Sequence, residues 1–125
     1  MEEITIKKYN TRKGFNKFGA KKCYALGILF DSQKEAHRYL YLKSEEAAGR
    51  IKNLELQPRF LLQEKFRYEG KAIRAIEYIA DFMYIDSSSG KIIVEDTKGM
   101  KTTDYNIKKK IFLKKYGDQY TFREL

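Results

Sequence analysis

The sequence predicts a mixed α/β (α+β) domain: one mixed β-sheet flanked by two helices. Three observations carry this. Short runs rich in Ile, Val, Tyr and Phe recur between turn residues, as strands do. Two stretches, near 32–48 and 102–116, carry apolar residues at helical spacing behind Ser or Thr caps. The order is strand, helix, several strands, helix, strand, which builds one layer of sheet with helices packed on it.

Residues 1–22 form a basic arm containing Lys7, Lys8, Arg12, Lys13, Lys17, Lys21 and Lys22, interrupted by Gly14 and Gly19. A short strand fits around Ile4 and Ile6. The arm reads equally as a frayed, solvated terminus and as a segment that contacts DNA or bridges subunits. The folded domain is expected over 23–125.

Residues 23–30 read as one short strand through Gly27. A helix follows from Asp31-Ser32 to about Ala48, with Gly49 as its C-terminal cap. Ala36, Tyr39, Leu40, Lys43 and Ala47 are expected on its inner face. Strands are expected at 51–57, ended by Pro58, and at 60–68, with Glu69-Gly70 as a turn. Residues 72–85 are long for one strand, long enough for a bulge. The side chain of Gln57, polar among apolar neighbours, is expected to make a backbone contact, with a hydrogen bond near the site as the alternative. The second helix, capped by Thr102 or Thr103, is expected to face the sheet with Ile107, Ile111 and Phe112, joined by Tyr105 or the stem of Lys115. A final strand is expected at 119–123.

The chemistry concentrates in one predicted hairpin. The runs 78–85 and 91–99 flank the polar turn Asp86-Ser-Ser-Ser-Gly90. Side chains alternate faces along a strand, so Asp96 and Lys98 share a face and Thr97 opposes them. Hairpin pairing brings Asp81 beside Asp96. Two neighbouring carboxylates repel unless one is protonated. A divalent cation removes that difficulty, because Mg²⁺ takes one or two carboxylates and completes its shell with water and phosphate. The plain alternative is a hairpin with two solvated acids and a surface lysine. Glu95 rivals Asp96 but is expected to point away from Lys98.

Asp81 in Ala-Asp-Phe, followed by Asp96-Thr97-Lys98-Gly99, resembles the core motif of the PD-(D/E)XK nuclease superfamily. Ala80 stands where that motif has Pro. The stretch 94–98, with its following Gly and Lys-rich helix, is similar to phage junction-resolving endonuclease I. From about Lys22 onward the chain looks like a phage-encoded family of unknown function. The resemblance implies a restriction-endonuclease-like core and a Mg²⁺- or Mn²⁺-dependent DNA endonuclease. Asp81 and Asp96 would hold metal, with the backbone carbonyl of Thr97 as a further ligand, and Lys98 would position or deprotonate water. It also offers Glu35 as a metal ligand on the first helix. The residues themselves offer a capping box, Ser32-x-x-Glu35, in which the Glu side chain only caps the helix.

The resemblance to a junction-resolving enzyme implies branched DNA as substrate and a homodimer. Nucleases of plain duplex, flap or single-stranded DNA, and a non-catalytic basic DNA-binding protein, stay open as alternatives. The charge agrees with DNA as partner: 26 basic and 17 acidic residues leave +9. Between residues 98 and 115 stand seven lysines and one acid, Asp104. Lys101, Lys108 and Lys109 lie where a phosphate strand entering the site would pass, whereas Lys110 is expected to be solvated. A single Cys23 excludes an intrachain disulfide, and one histidine, His37, leaves no zinc cluster or His-based triad. No apolar run spans a bilayer and no signal peptide is visible, so a cytoplasmic protein without a membrane partner is expected.

Overall fold

In the computed structural model the described residues are 6–8 (backbone path only), 21–98 and 101–125. The rest of the basic arm, and Gly99 of the motif, lie outside them. The chain divides into two compact units, Met1–Lys52 and Asn53–Leu125.

The first unit holds a three-stranded antiparallel sheet, ordered β1 (Ile6–Lys8), β2 (Cys23–Ala25) and β3 (Ile28–Phe30), and helix α1 (Gln33–Ala47). Residues 23–30 are therefore a hairpin and not one strand. Leu26 and Gly27 form its two-residue turn, both at positive φ (48° and 79°), the geometry that matches strand twist. Ser32 caps α1, its Oγ accepting from the Glu35 backbone N–H at 3.1 Å. At the other end Gly49 takes φ +77°, and the N–H groups of Gly49 and Arg50 return to the carbonyls of Glu46 and Glu45. That Schellman arrangement satisfies carbonyls the helix leaves open. The buried face is Glu35, Ala36, Tyr39 and Leu42. Leu40 and Lys43 are only half-buried and Ala47 is exposed, so the apolar stripe is rotated toward Leu42 from the expected one. The Phe30 and Tyr39 rings lie 5.0 Å apart.

Strand β4 (Ile51–Leu56) carries the chain into the second unit. There a mixed sheet has the order β11 (Thr121–Glu124), β10 (Ile92–Asp96), β9 (Phe82–Asp86), β4. Strands β9 and β10 form the expected hairpin, with Ile92 opposite Ile85 and Glu95 opposite Phe82. Asp86 closes its turn by accepting from Ser88 and Ser89. Strand β11 pairs parallel to β10, setting Asp96 beside Glu124.

Residues 60–68 and 72–85 are each broken where one strand was expected. Strands β5 (Arg59–Gln63) and β6 (Phe66–Tyr68) run out, and β7 (Lys71–Ile73) and β8 (Ile76–Ile79) run back. The chain then bends at Ala80-Asp81 and enters β9 in the other sheet. Helix α2 (Thr103–Tyr116), capped by Thr102, packs through Tyr105 and Phe112. They join Phe60, Leu62, Tyr78, Ala80 and Val94 in a core rich in aromatic rings. Phe60 and Phe112 stand 4.8 Å apart, Tyr78 and Phe112 5.1 Å. Ile107 and Ile111 do not face this core. They lie on the far side of α2, 52% and 39% exposed, because Tyr105, Phe112 and Tyr116 fill the inward face. Among the described residues no helix is long and apolar enough to cross a membrane.

Candidate metal centre

Strand alternation sorts the Glu95-Asp96-Thr97-Lys98 stretch. Val94 belongs to the core under α2, and Asp96, two residues on, turns to the same side. There Asp96 Oδ2 accepts a hydrogen bond from the Tyr78 hydroxyl. Asp96 Oδ1 has Lys98 Nζ at 3.2 Å but no well-directed hydrogen-bond donor. Glu95 turns to the opposite face, where it accepts from the Tyr84 hydroxyl. The expected register, with Asp96 and not Glu95 beside Lys98, is the one observed.

Asp81 sits in the bend between β8 and β9 rather than within a strand. Its N–H donates to Glu95 O at 3.0 Å, and its carbonyl accepts from Gln57 N–H at 2.9 Å. That bond uses the Gln57 main chain; the Gln57 side chain, from which a backbone contact was expected, is exposed. Asp81 Oδ2 accepts from both the N–H and the hydroxyl of Thr97, each at 2.7 Å. Its Oδ1 has no hydrogen-bond donor among the described residues. Asp81 follows the last β9–β10 pair, Phe82 with Glu95, and lies near enough to Asp96 for the two charges to interact.

The two carboxylates feel each other. Burial pushes the Asp96 carboxyl up to about 7, and the negative charge of Asp81 adds to the rise; the Tyr78 hydroxyl and the Lys98 ammonium oppose it. Tyr78 is driven far above the ordinary phenol range by burial and then by Asp96. The corner thus holds two carboxylate oxygens without directed donors, beside one ammonium. That donor set fits Mg²⁺, which needs only one or two carboxylates and draws its remaining ligands from water and phosphate. Among the described residues no three His, Cys, Asp or Glu side chains gather as a metal-holding group.

Glu124 was not foreseen. It faces Asp96 across the β10–β11 pairing and collects Lys101 at 2.7 Å, Lys109 at 3.0 Å and the Tyr105 hydroxyl. These partners, Lys101 first, hold its carboxyl down at about 2. Tyr105 is pushed up, chiefly by burial and next by Glu124. The Lys98 ammonium lies 5.3 Å from the Tyr105 ring centre, within cation–π range. Of the lysines expected to meet DNA, Lys101 and Lys109 therefore share the one carboxylate of Glu124, which offsets one of their two charges. Lys108 is half-buried with no ion pair among the described residues, and Lys110 is exposed. The one signal for Glu124 was its spacing from Phe122, which puts it on the core face of the last strand. Glu35 lies in the first unit, buried at 6% exposure in the opening turn of α1.

A family described as "Protein of unknown function (DUF1064)" matches residues 15–124. No curated protein and no solved structure matches the chain.

Proposed function

We propose that this chain, which belongs to the DUF1064 family, is a metal-dependent endonuclease that hydrolyses phosphodiester bonds in DNA, with branched DNA as its preferred substrate. The observation that carries the reading is the corner where Asp81 and Asp96 present oxygens without directed donors beside Lys98. The motif resemblance and the charge of +9 support it.

Asp81 and Asp96 would hold Mg²⁺ or Mn²⁺, with the Thr97 carbonyl as a further ligand on the strength of the resemblance. A divalent ion there supplies a polarised phosphate and a water acidic enough to attack near neutral pH. Thr97 fixes the orientation of Asp81, and Tyr78 fixes that of Asp96, so neither carboxylate must reorganise when substrate arrives. Lys98 orients the attacking water or neutralises charge growing on the phosphate. No protein nucleophile is required. The resemblance alone offers Glu35, in the first unit, as a further metal-binding carboxylate. A non-catalytic DNA-binding protein is the competing reading, favoured by the complete burial of Asp96.

Cleavage decides between the two. Four-way junction, flap, linear duplex and single-stranded DNA are incubated with the protein, with and without Mg²⁺. We expect Mg²⁺-dependent cutting, strongest on the junction, that Asp81→Asn, Asp96→Asn and Lys98→Ala each reduce by at least about a hundredfold. Glu95→Gln keeps an acceptor for Tyr84 and retains most activity. Glu35→Gln loses activity with little change in thermal midpoint; retained activity assigns Glu35 to the helix cap alone. A wild-type protein that binds DNA but cuts none of the four substrates overturns the nuclease reading.

A further inference from the structure

The out-and-back strands of residues 59–79 form one long ribbon whose outer part carries chemistry that the corner of Asp81 and Asp96 does not use. Gln63 pairs with Ile76 and Phe66 with Ile73, so the two strand pairs keep one register across residues 64–65 and 74–75, which lie between the strands. Lys65 therefore stands opposite Arg74, and Arg67 opposite Ala72. The turn at Glu69-Gly70 has positive φ at both residues, 48° and 77°. That is the two-residue geometry which keeps a twisted ribbon regular to its end. Every residue from 64 to 76 is exposed.

Alternation divides this ribbon into two unlike faces. One carries Phe66, Tyr68 and Ile73 with Lys71. The other carries Lys65, Arg67 and Arg74 and no acid. Like charges brought together across a strand pair destabilise it, and the shared register brings Lys65 and Arg74 together in the gap between the two pairs, with Arg67 diagonal to Arg74. None of the three has an ion-pair partner among the described residues. Arg67 is only steadied, through Nη1, by the Gly70 carbonyl at 3.3 Å. A face that gathers cations and offers them no anion is complementary to a polyanion. From Gln63 to Tyr68 the ribbon is roughly 17 Å long, and a two-stranded ribbon is of a size that the DNA major groove admits.

We propose that the Lys65, Arg67 and Arg74 face of this ribbon is a second DNA-contacting element, binding the phosphate backbone of duplex DNA. The choice of DNA as the polyanion rests on the nuclease reading. The contact positions the duplex and does not read its sequence.

The test is binding without divalent cation, so that cleavage plays no part. A labelled linear duplex is titrated with the full chain in EDTA over a salt series. Each lost phosphate contact removes about 0.9 from the slope of log K against log salt. The triple variant Lys65→Ala/Arg67→Ala/Arg74→Ala is expected to lower that slope by about two to three units. The matched triple Lys34→Ala/Lys52→Ala/Lys91→Ala makes the same change in net charge, and should lower the slope by less than about one unit. Circular dichroism verifies folding, and Gln replacements at the same three positions serve if the Ala triple misfolds. An unchanged slope in the ribbon triple, or an equal drop in both triples, overturns the proposal. So does a concentration-dependent dimer abolished by Phe66→Ser/Tyr68→Ser while the basic-face triple binds DNA as wild type; the ribbon is then an arm for a second copy. A chain that cuts nothing yet shows the ribbon-dependent slope loses the nuclease reading and keeps this one. A chain that cuts with an unaltered slope does the reverse.

Discussion

Asp96 and Glu124 are neighbouring carboxylates with opposite electrostatics. Glu124 has two lysines and a phenol, and its carboxyl is held at about 2. Asp96 is fully buried, faces the charge of Asp81 and rises from 3.8 to about 7. Between those two pH values the folded chain keeps a proton on Asp96 that the unfolded chain has released. The contribution of Asp96 to stability therefore falls as pH rises from about 4 to 7. Without divalent cation, Asp96→Asn should melt several degrees above wild type at pH 8, and the gap should narrow toward pH 4. Differential scanning fluorimetry in EDTA measures this, and a variant that melts below wild type at pH 8 refutes it. The pair Asp96 and Lys98 was legible because two-residue spacing on a strand fixes a common face. Tyr78, Tyr105 and Glu124 were not, because Tyr78 and Tyr105 reach this corner through the packing of β8 and α2, and Glu124 through the parallel pairing of β11. Both are long-range events that no local pattern encodes.

Elements with a local cause were read correctly. Ser32 and Thr102 begin their helices by accepting a backbone N–H three residues on, and Gly49 ends α1 in the left-handed region. Where the cause was not local, the reading slipped. Residues 23–30 read locally as one strand, because a Gly in an apolar run after Leu26 gives no turn signal. Yet Leu26 takes φ 48°, a conformation that costs a non-glycine residue roughly 1–2 kcal/mol and that Asn tolerates better. Leu26 is 41% exposed, so it gives up little burial when replaced. Leu26→Asn should therefore stabilise the chain by about 0.5–1 kcal/mol in urea unfolding. A loss of stability would mean that the Leu26 side chain contributes more by packing than its backbone strain costs. Helix α2 slipped for another reason. Ile107 and Ile111 share one stripe and Tyr105 and Phe112 another, and hydrophobicity alone did not choose between them. The inward aromatic rings of Phe60, Tyr78 and Tyr120 did.

At the scale of the whole molecule, the charge of +9 fits the DNA partner proposed but says nothing of its shape. Shape must come from how many cuts one binding event makes. Each chain has one corner of the Asp81, Asp96 and Lys98 kind among its described residues, and on the proposed nuclease reading one such corner would cut one strand. Resolving a four-way junction takes two cuts placed symmetrically, so the branched-DNA reading demands two chains related by a two-fold axis. A supercoiled plasmid that extrudes a cruciform tells the cases apart. A dimer with two working sites should convert it directly to the linear form, whereas a single-site enzyme releases nicked circles first. Mixing wild-type chains with an excess of Asp96→Asn chains should then shift the product from linear to nicked, because most wild-type chains are paired with an inactive partner. Nicked circles as the sole early product of the wild type would assign the chain to nicking of duplex or flap DNA. A linear product that the inactive chains do not change would show that subunits act without pairing, and the junction reading would fall with it.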